Sequence, residues 1–239
     1  MNLILFEPEE LGQPLAAADK RYKHLLKVLK VQKGSTFDMG QAGGRQGKAT
    51  VQEITPNFLR YSFRLTIEPA PLHPVTLVLA FIRPVNGQRT LREMSTLGVS
   101  NIRMVITDKT EKSYADSHYY RQGNIRQLLK EGAEQAFTSR LPLYQAFSSL
   151  GSAMLGLAPG QVRTGLDNYE ATTSLGGFQL PAKSGAALAI GPERGWSQKE
   201  RKLLIEQGFT LCSLGERVLR AETACTVAVA LVLQKLGKM

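Results

Sequence analysis

Two stretches near the carboxyl end of this 239-residue chain carry the residues best placed to hold a ligand. The first, Ala189-Ile190-Gly191-Pro192-Glu193-Arg194-Gly195-Trp196-Ser197, reads as an apolar strand entering a Gly-bearing loop that opens a helix. Pro192 has no backbone N–H to donate, while Gly191 and Gly195 permit close approach of a ligand to the main chain. Ser197, followed three residues later by Glu200, has the pattern of a capping box and marks the helix start. The second stretch, Leu214-Gly215-Glu216-Arg217-Val218-Leu219-Arg220-Ala221-Glu222-Thr223-Ala224, repeats this plan and adds charge. Arg217 and Arg220 precede Glu222 at the head of a helix whose later turns (Val227, Val229, Leu231, Val232) are apolar. A helix that apolar is expected to be buried, so its Arg/Glu cluster lines a pocket, meets a partner chain or forms a structural ion pair. Two strand-to-helix loops of this kind would place backbone N–H groups around one crevice at the carboxyl edge of an α/β sheet, where small ligands bind.

Other catalytic patterns are missing. There is no G-x-G-x-x-G after a strand, no G-x-S-x-G and no H-E-x-x-H. His24, His73 and His118 are scattered over a basic helix, a proline-rich linker and a tyrosine-rich segment. Gly40, Gly43, Gly44 and Gly47 before Lys48 suggest a phosphate loop only superficially. Ala42 stands where its first Gly belongs and Ala49 where Ser or Thr belongs, so the cluster reads as a hairpin turn. Cys212 and Cys225 form no C-x-x-C pair and have no His cluster nearby, so reduced thiols and no metal are expected. The longest apolar run, Ala228 to Leu233, is far short of the ~20 residues of a membrane span. The first ten residues lack the basic region of a signal peptide. These features predict a cytoplasmic protein without membrane contact.

Thirty Lys and Arg against twenty Asp and Glu give a net charge of +10. The excess is spread along the chain, which points to a polyanionic partner such as nucleic acid. It is densest over Ala16–Val31, read as a helix with Tyr22, Leu25, Leu26 and Leu29 on its apolar stripe. Lys20, Arg21, Lys23, Lys27, Lys30 and Lys33 surround that stripe.

The elements that must position these residues fall into two groups. Up to about residue 70 the pattern is β-rich, with strands at Leu3–Phe6, Ser35–Met39, Lys48–Ile54 and Phe58–Ile67. Glu68-Pro69-Ala70-Pro71-Leu72-His73-Pro74 cannot continue a helix or central strand, so domains are expected over 1–70 and 71–239. Beyond it strands and helices alternate: Val75–Ile82, a helix capped by Asn86, Ile102–Thr107, a long helix over Ser117–Phe137, then Leu143–Phe147 and Gln161–Leu166. The series closes with Ala186–Ile190, a helix Ser197–Gln207, Thr210–Ser213 and a helix Ala221–Leu236. That alternation predicts an α/β, mostly parallel sheet.

Several motifs, in order, resemble those of the RsmE family of ribosomal RNA uridine methyltransferases. His24-Leu25-Leu26-Lys27-Val28-Leu29-Lys30 is similar to its H-L-x-x-V-L-R helix, and Ser95-Thr96-Leu97-Gly98-Val99 to its A-T-E-L-G-V helix end. Glu134-Gln135, with Arg140 following, and the two opening stretches complete the series. The last block, similar to L-G-x-R-I-L-R-x-E-T-A, is highly specific. Departures fall elsewhere: Arg194 stands where G-P-E-G-G has Gly, Thr96 for Glu, Met94 for Lys, Thr138 and Lys112 for Arg.

The resemblance implies a PUA-like β-barrel followed by a SPOUT-type methyltransferase domain with a C-terminal trefoil knot, a rare exception to unknotted connections. It implies a homodimer using S-adenosylmethionine to make N3-methyluridine in 16S ribosomal RNA of the assembled small ribosomal subunit. Leu166, Ile190, Gly191, Gly195, Leu214, Gly215, Leu219, Thr223 and Ala224 would bind the cofactor. Arg217, Arg220 and Glu222, or Glu193 in place of Glu222, would stabilise charge or move the proton. Lys20, Arg21, Lys23, His24, Lys27 and Lys30 would contact RNA. The alternatives are a SPOUT ribose 2′-O-methyltransferase, and an RNA-binding protein that keeps the fold without catalysis.

Overall fold

A computed structural model describes residues 3–181 and 184–239. The chain divides into two compact units, one holding the residues up to Pro71 together with Ala133–Leu141, the other holding Leu72–Gly132 and Pro142–Met239.

In the first unit, β1 (Ile4–Phe6), β2 (Leu15–Ala16), β3 (Thr36–Gln41), β4 (Gln46–Ile54) and β5 (Phe58–Ile67) form one sheet ordered β1-β3-β4-β5-β2. β1 pairs with β3 in parallel and the remaining pairs are antiparallel. One face of the sheet and α1 (Lys20–Lys27) enclose Phe6, Leu25, Phe37, Met39, Val51, Leu59 and Tyr61. Gly47 is required where β4 shifts register against β5, because a Cβ there would lie 1.9 Å from the Arg64 carbonyl oxygen. Ser139 is fully buried in this unit, its carbonyl accepting from the Gly43 N–H at 2.7 Å while its hydroxyl donates to the Gly44 carbonyl.

The second unit is a seven-stranded, all-parallel sheet. It contains β6 (His73–Ala80), β7 (Val99–Val105), β8 (Leu143–Phe147), β9 (Val162–Leu166), β10 (Thr173–Ser174), β11 (Ala186–Ile190) and β12 (Thr210–Ser213), ordered β10-β12-β9-β11-β6-β7-β8. β11 is buried along its whole length, as a central strand covered on both faces must be. On one face α2 (Pro84–Thr96), α4 (Gln122–Gln135) and α7 (Ala221–Lys235) contribute Leu91, Leu128 and Val229 to the larger core. On the other, α5 (Leu150–Met154) and α6 (Gln198–Glu206) pack Met154 and Leu204 around Trp196. The short α3 (Lys112–Ala115) precedes a 3-10 turn at His118–Tyr120.

Three expectations from the sequence are corrected. The basic helix spans only Lys20–Lys27, because Leu15–Ala16 pairs with β5 and Asp19 caps the helix through the Arg21 N–H at 2.7 Å. Asn86 is not a cap: α2 starts at Pro84, whose fixed φ suits the first helical position, with Arg83 as N-cap. The helix expected from Ser117 is broken into the 3-10 turn, capped by Ser117, and α4. α5 and β10 add two short elements that no periodic pattern announces.

Candidate functional site

The carboxyl ends of β9, β11 and β12 surround an open cleft. Three segments wall it: Leu166–Tyr169 after β9, Ile190–Gly195 after β11, and Leu214 with Arg217–Leu219 after β12. Ala221 and Ala224, in the first turn of α7, complete the lining, and Cys212 lies at its base.

The walls are tied to one another by side chains. Trp196 is fully buried, and its Nε1–H donates to the Leu166 carbonyl at 2.9 Å, joining the segment after β11 to the end of β9. At Gly191 a Cβ would lie 3.2 Å from the Trp196 ring, a contact tight enough that the buried ring would have to shift. Gly195 takes φ +65°, a left-handed conformation that glycine adopts without strain. Ser197 and Glu200 form the reciprocal capping box at the head of α6, and Glu200 also accepts the Asp108 N–H at 2.8 Å. A second tie comes from Asp167. Its Oδ1 accepts the N–H groups of Tyr169 (2.7 Å) and Glu170 (2.6 Å), while Oδ2 accepts Arg201 Nε–H at 2.7 Å. Asp167 and Arg201 are both buried, so this ion pair fixes the loop after β9 against α6.

Charge is divided unevenly around the mouth. Arg194, Arg217 and Arg220 are exposed, and none has a hydrogen-bonded or ion-paired side chain among the described residues. Cys212 lies at the opposite extreme: burial pushes its thiol up to about 11, so it is a neutral packing group and not a nucleophile.

Residues 68–233 match the RNA methyltransferase domain family. Over 98% of its length the chain is 37% identical to the ribosomal RNA small subunit methyltransferase E of Treponema pallidum, covering 91% of that protein. The chain belongs to the RsmE family. The ribosomal RNA small subunit methyltransferase E 1 of Borreliella burgdorferi is 25% identical over the full length of both chains. Among solved structures, the Neisseria gonorrhoeae ribosomal RNA small subunit methyltransferase E bound to S-adenosyl methionine has the same fold. It aligns at TM-score 0.77 and 24% identity, over 99% of this chain and 98% of that one.

Within this RsmE-family cleft, seven of the nine residues expected to hold a cofactor meet: Leu166, Ile190, Gly191, Gly195, Leu214, Leu219 and Ala224. Gly215 and Thr223 lie beside it without lining it. Arg217 is on the wall, whereas Arg220 is the N-cap residue of α7 and Glu222 lies in that helix's first turn, both outside the lining. Glu193 lines the cleft, but its carboxylate accepts the Arg83 N–H at 2.9 Å, so it caps the start of α2.

On α1 the side chains of Lys20, Lys23 and Lys27 are exposed and His24 is half-buried; Lys30, also exposed, lies beyond the helix end. Arg21 differs. Its guanidinium binds Glu10 and Asp19 at 2.7 Å each and rests 4.6 Å from the Phe6 ring centroid. Burial opposes its charge, but the two carboxylates outweigh burial and raise its pKa, so Arg21 acts as a structural tie within the first unit. Sequence reasoning missed Asp167, Asn168, Tyr169 and Val218 in the cleft. Asp167 and Arg201 are separated by 34 positions, and no local pattern signals their pairing.

Proposed function

We propose that the protein transfers a methyl group from S-adenosylmethionine to N3 of a uridine in 16S ribosomal RNA of the assembled small subunit. The observation that carries this reading is the cleft where three parallel strands end, in a chain of the RsmE family. Its residues fit the donor. Leu166, Ile190, Leu219 and Ala224 offer apolar surface to an adenosine, and the glycine-bearing segment after β11 offers backbone groups to polar edges. When bound, S-adenosylmethionine supplies an activated methyl group on a sulfonium sulfur.

The chain's own part is alignment and charge. Uracil N3 carries a proton at neutral pH, so attack on the methyl requires its loss, and negative charge then grows on O2 and O4. Arg217, on the cleft wall, and Arg220, at the head of α7, are cations with no side-chain partner among the described residues and would stabilise that charge. Glu222 in the first turn of α7, or Glu193 on the cleft wall, would accept the proton or orient an arginine. Alignment of nitrogen and methyl alone could supply much of the rate.

Five features accompany the reading. The lysines of α1 would bind phosphates, and the five-stranded first unit would act as the PUA-like RNA-placing barrel. The order β12-β9-β11, in which a late strand joins β9 after β11 has formed on its other side, supports a trefoil-knotted path. α7 is apolar beyond the face it buries, with Val227 37% exposed and Leu231 half-buried, which supports a homodimer formed on that helix. Such a protein would work in the cytoplasm.

Nucleoside mass spectrometry of 16S RNA from a strain lacking the gene tests the reaction. Loss of one N3-methyluridine is expected; loss of a ribose-methylated nucleoside instead, or of nothing, would overturn it. Arg220→Ala should lower turnover at least 100-fold while leaving donor affinity unchanged, read by single-turnover assay and calorimetry. Near-normal turnover would remove Arg220 from the chemistry.

A further inference from the structure

The cleft carries one large aromatic side chain that folding does not explain. Tyr169 lines it with 77% of its surface exposed, among the most open of the large apolar or aromatic side chains in the chain. A tyrosine left in solvent contributes little burial, and a single exposed ring is ordinarily unremarkable. This one is held in place. Its backbone N–H donates to Asp167 at 2.7 Å, and Asp167 is locked by Arg201 in a buried pair. The Arg201 guanidinium also lies 5.1 Å from the Tyr169 ring centroid, within cation–π range. Across the cleft the ring edge reaches Gly195: a Cβ there would lie 3.8 Å from Tyr169 Cε2. Arg201 is thus on one side of the ring, and most of the remaining surface is open at the cleft mouth.

We propose that Tyr169 is a stacking platform for a nucleobase entering this cleft, with Asp167 and Arg201 as the positioning residues that hold the ring. The proposal rests on the methyltransferase reading, in which two nucleobases approach the cleft: the adenine of the donor and the target base of the RNA. Both present the same flat π-face. Base–aromatic stacking is worth ~1–3 kcal/mol by alanine substitution, or roughly 5- to 150-fold in affinity. A guanidinium behind the ring also draws electron density from it, which favours a partner gaining negative charge, as a uracil losing its N3 proton would.

The test compares the wild-type chain with Tyr169→Ala, Tyr169→Leu and Tyr169→Phe. S-adenosylmethionine binding is measured by calorimetry, and methylation of unmodified small subunits by steady-state kinetics. A 5- to 150-fold loss for Ala and Leu, largely recovered by Phe, is expected in one arm. A loss in donor affinity assigns the platform to adenine; a rise in KM for the subunit at unchanged donor affinity assigns it to the target base. Ala and Leu variants that match wild type in both arms would overturn the proposal while the wild-type activity stands. A wild-type chain that neither binds the donor nor methylates RNA would instead defeat the underlying reading. Should Tyr169→Ala fail to fold, judged by its urea midpoint, Tyr169→Leu against Tyr169→Phe decides alone, because both retain bulk and only one retains the ring.

Discussion

Asp167 is the side chain on which the cleft's geometry most depends, and Asp167→Ala makes that dependence measurable. The substitution removes three acceptor contacts at once: the N–H groups of Tyr169 and Glu170, and Arg201 Nε–H. The Arg201 side chain is only 10% exposed, so its charge would lose its buried partner, a change that typically costs ~3–5 kcal/mol. Glu170 stays 3.6 Å from Arg201 but is half-exposed, and its weaker attraction places the expected loss at the lower end, ~3 kcal/mol. Asp167→Asn keeps an oxygen for the two N–H groups and loses only the charge, so its loss should be smaller. The double variant Asp167→Leu with Arg201→Met removes both charges and should be more stable than Asp167→Ala, because an apolar replacement of a buried pair is often neutral. Urea unfolding reads all three: with a slope of ~1–3 kcal/mol/M, Asp167→Ala should lower the midpoint by roughly 1–3 M. A loss below ~1 kcal/mol, or a double variant no better than Asp167→Ala, would refute the assignment of this pair as the tie between the loop after β9 and α6.

Three further outcomes are expected. Gly191→Ala forces a methyl against the buried Trp196 ring and should destabilise by ~1–3 kcal/mol while weakening S-adenosylmethionine binding in calorimetry; wild-type values in both would show that the ring gives way freely. Replacing Lys23, Lys27 and Lys30 by Gln should weaken RNA binding and flatten its log–log salt dependence by roughly 2–3, since each single-strand phosphate contact contributes ~0.7 and each duplex contact ~0.9; an unchanged slope would take these lysines out of the RNA footprint. Burial raises both cysteine pKa values, Cys212 to about 11, so the thiolate is scarce until pH rises well above 9; at pH 8 neither should react with a disulfide reagent in the native protein, and both should once it is unfolded, with rapid native labelling as the contrary result.

Local signals in the sequence carried the parts of the site that local structure makes. The apolar run Ala186–Ile190 and the Ser197/Glu200 capping box placed β11 and the head of α6, because burial of a central strand and satisfaction of a helix terminus are written in neighbouring residues. The same holds for α7, whose unbroken apolar turns follow the Arg/Glu cluster. What could not be read is what tertiary packing decides. Leu15–Ala16 belongs to a sheet only because β5 lies beside it, and on its own it continues a helical pattern. Residues 133–141 join the first unit through contacts such as Leu5 N–H to Glu134 at 2.8 Å, across 129 positions. That the Glu193 carboxylate accepts the N–H of Arg83, 110 residues away, has no local signature either. Arg21 looked like one more cation on a basic face, yet Glu10 and Asp19 enclose it.

The cleft's three walls differ in how firmly they are held, and the difference suits a transfer reaction. The segment after β11 is tied to the end of β9 by Trp196 to Leu166, and the loop after β9 is held against α6 by Asp167 to Arg201, both through buried groups. The third wall has no such ties: among the described residues, Glu216–Leu219 forms no hydrogen bond or ion pair, and Val218 is 76% exposed. A segment with few buried contacts opens at low free energy, so it can adapt to what binds. Rigid walls fix where a donor's methyl lies, which is the larger part of catalysis by alignment. The adaptable wall carries Arg217 and leads into Arg220, the two cations assigned to the developing charge. In the proposed reaction their guanidinium groups would act best by meeting that charge only as it appears, because interactions stronger in the transition state than in the ground state are the ones that accelerate it.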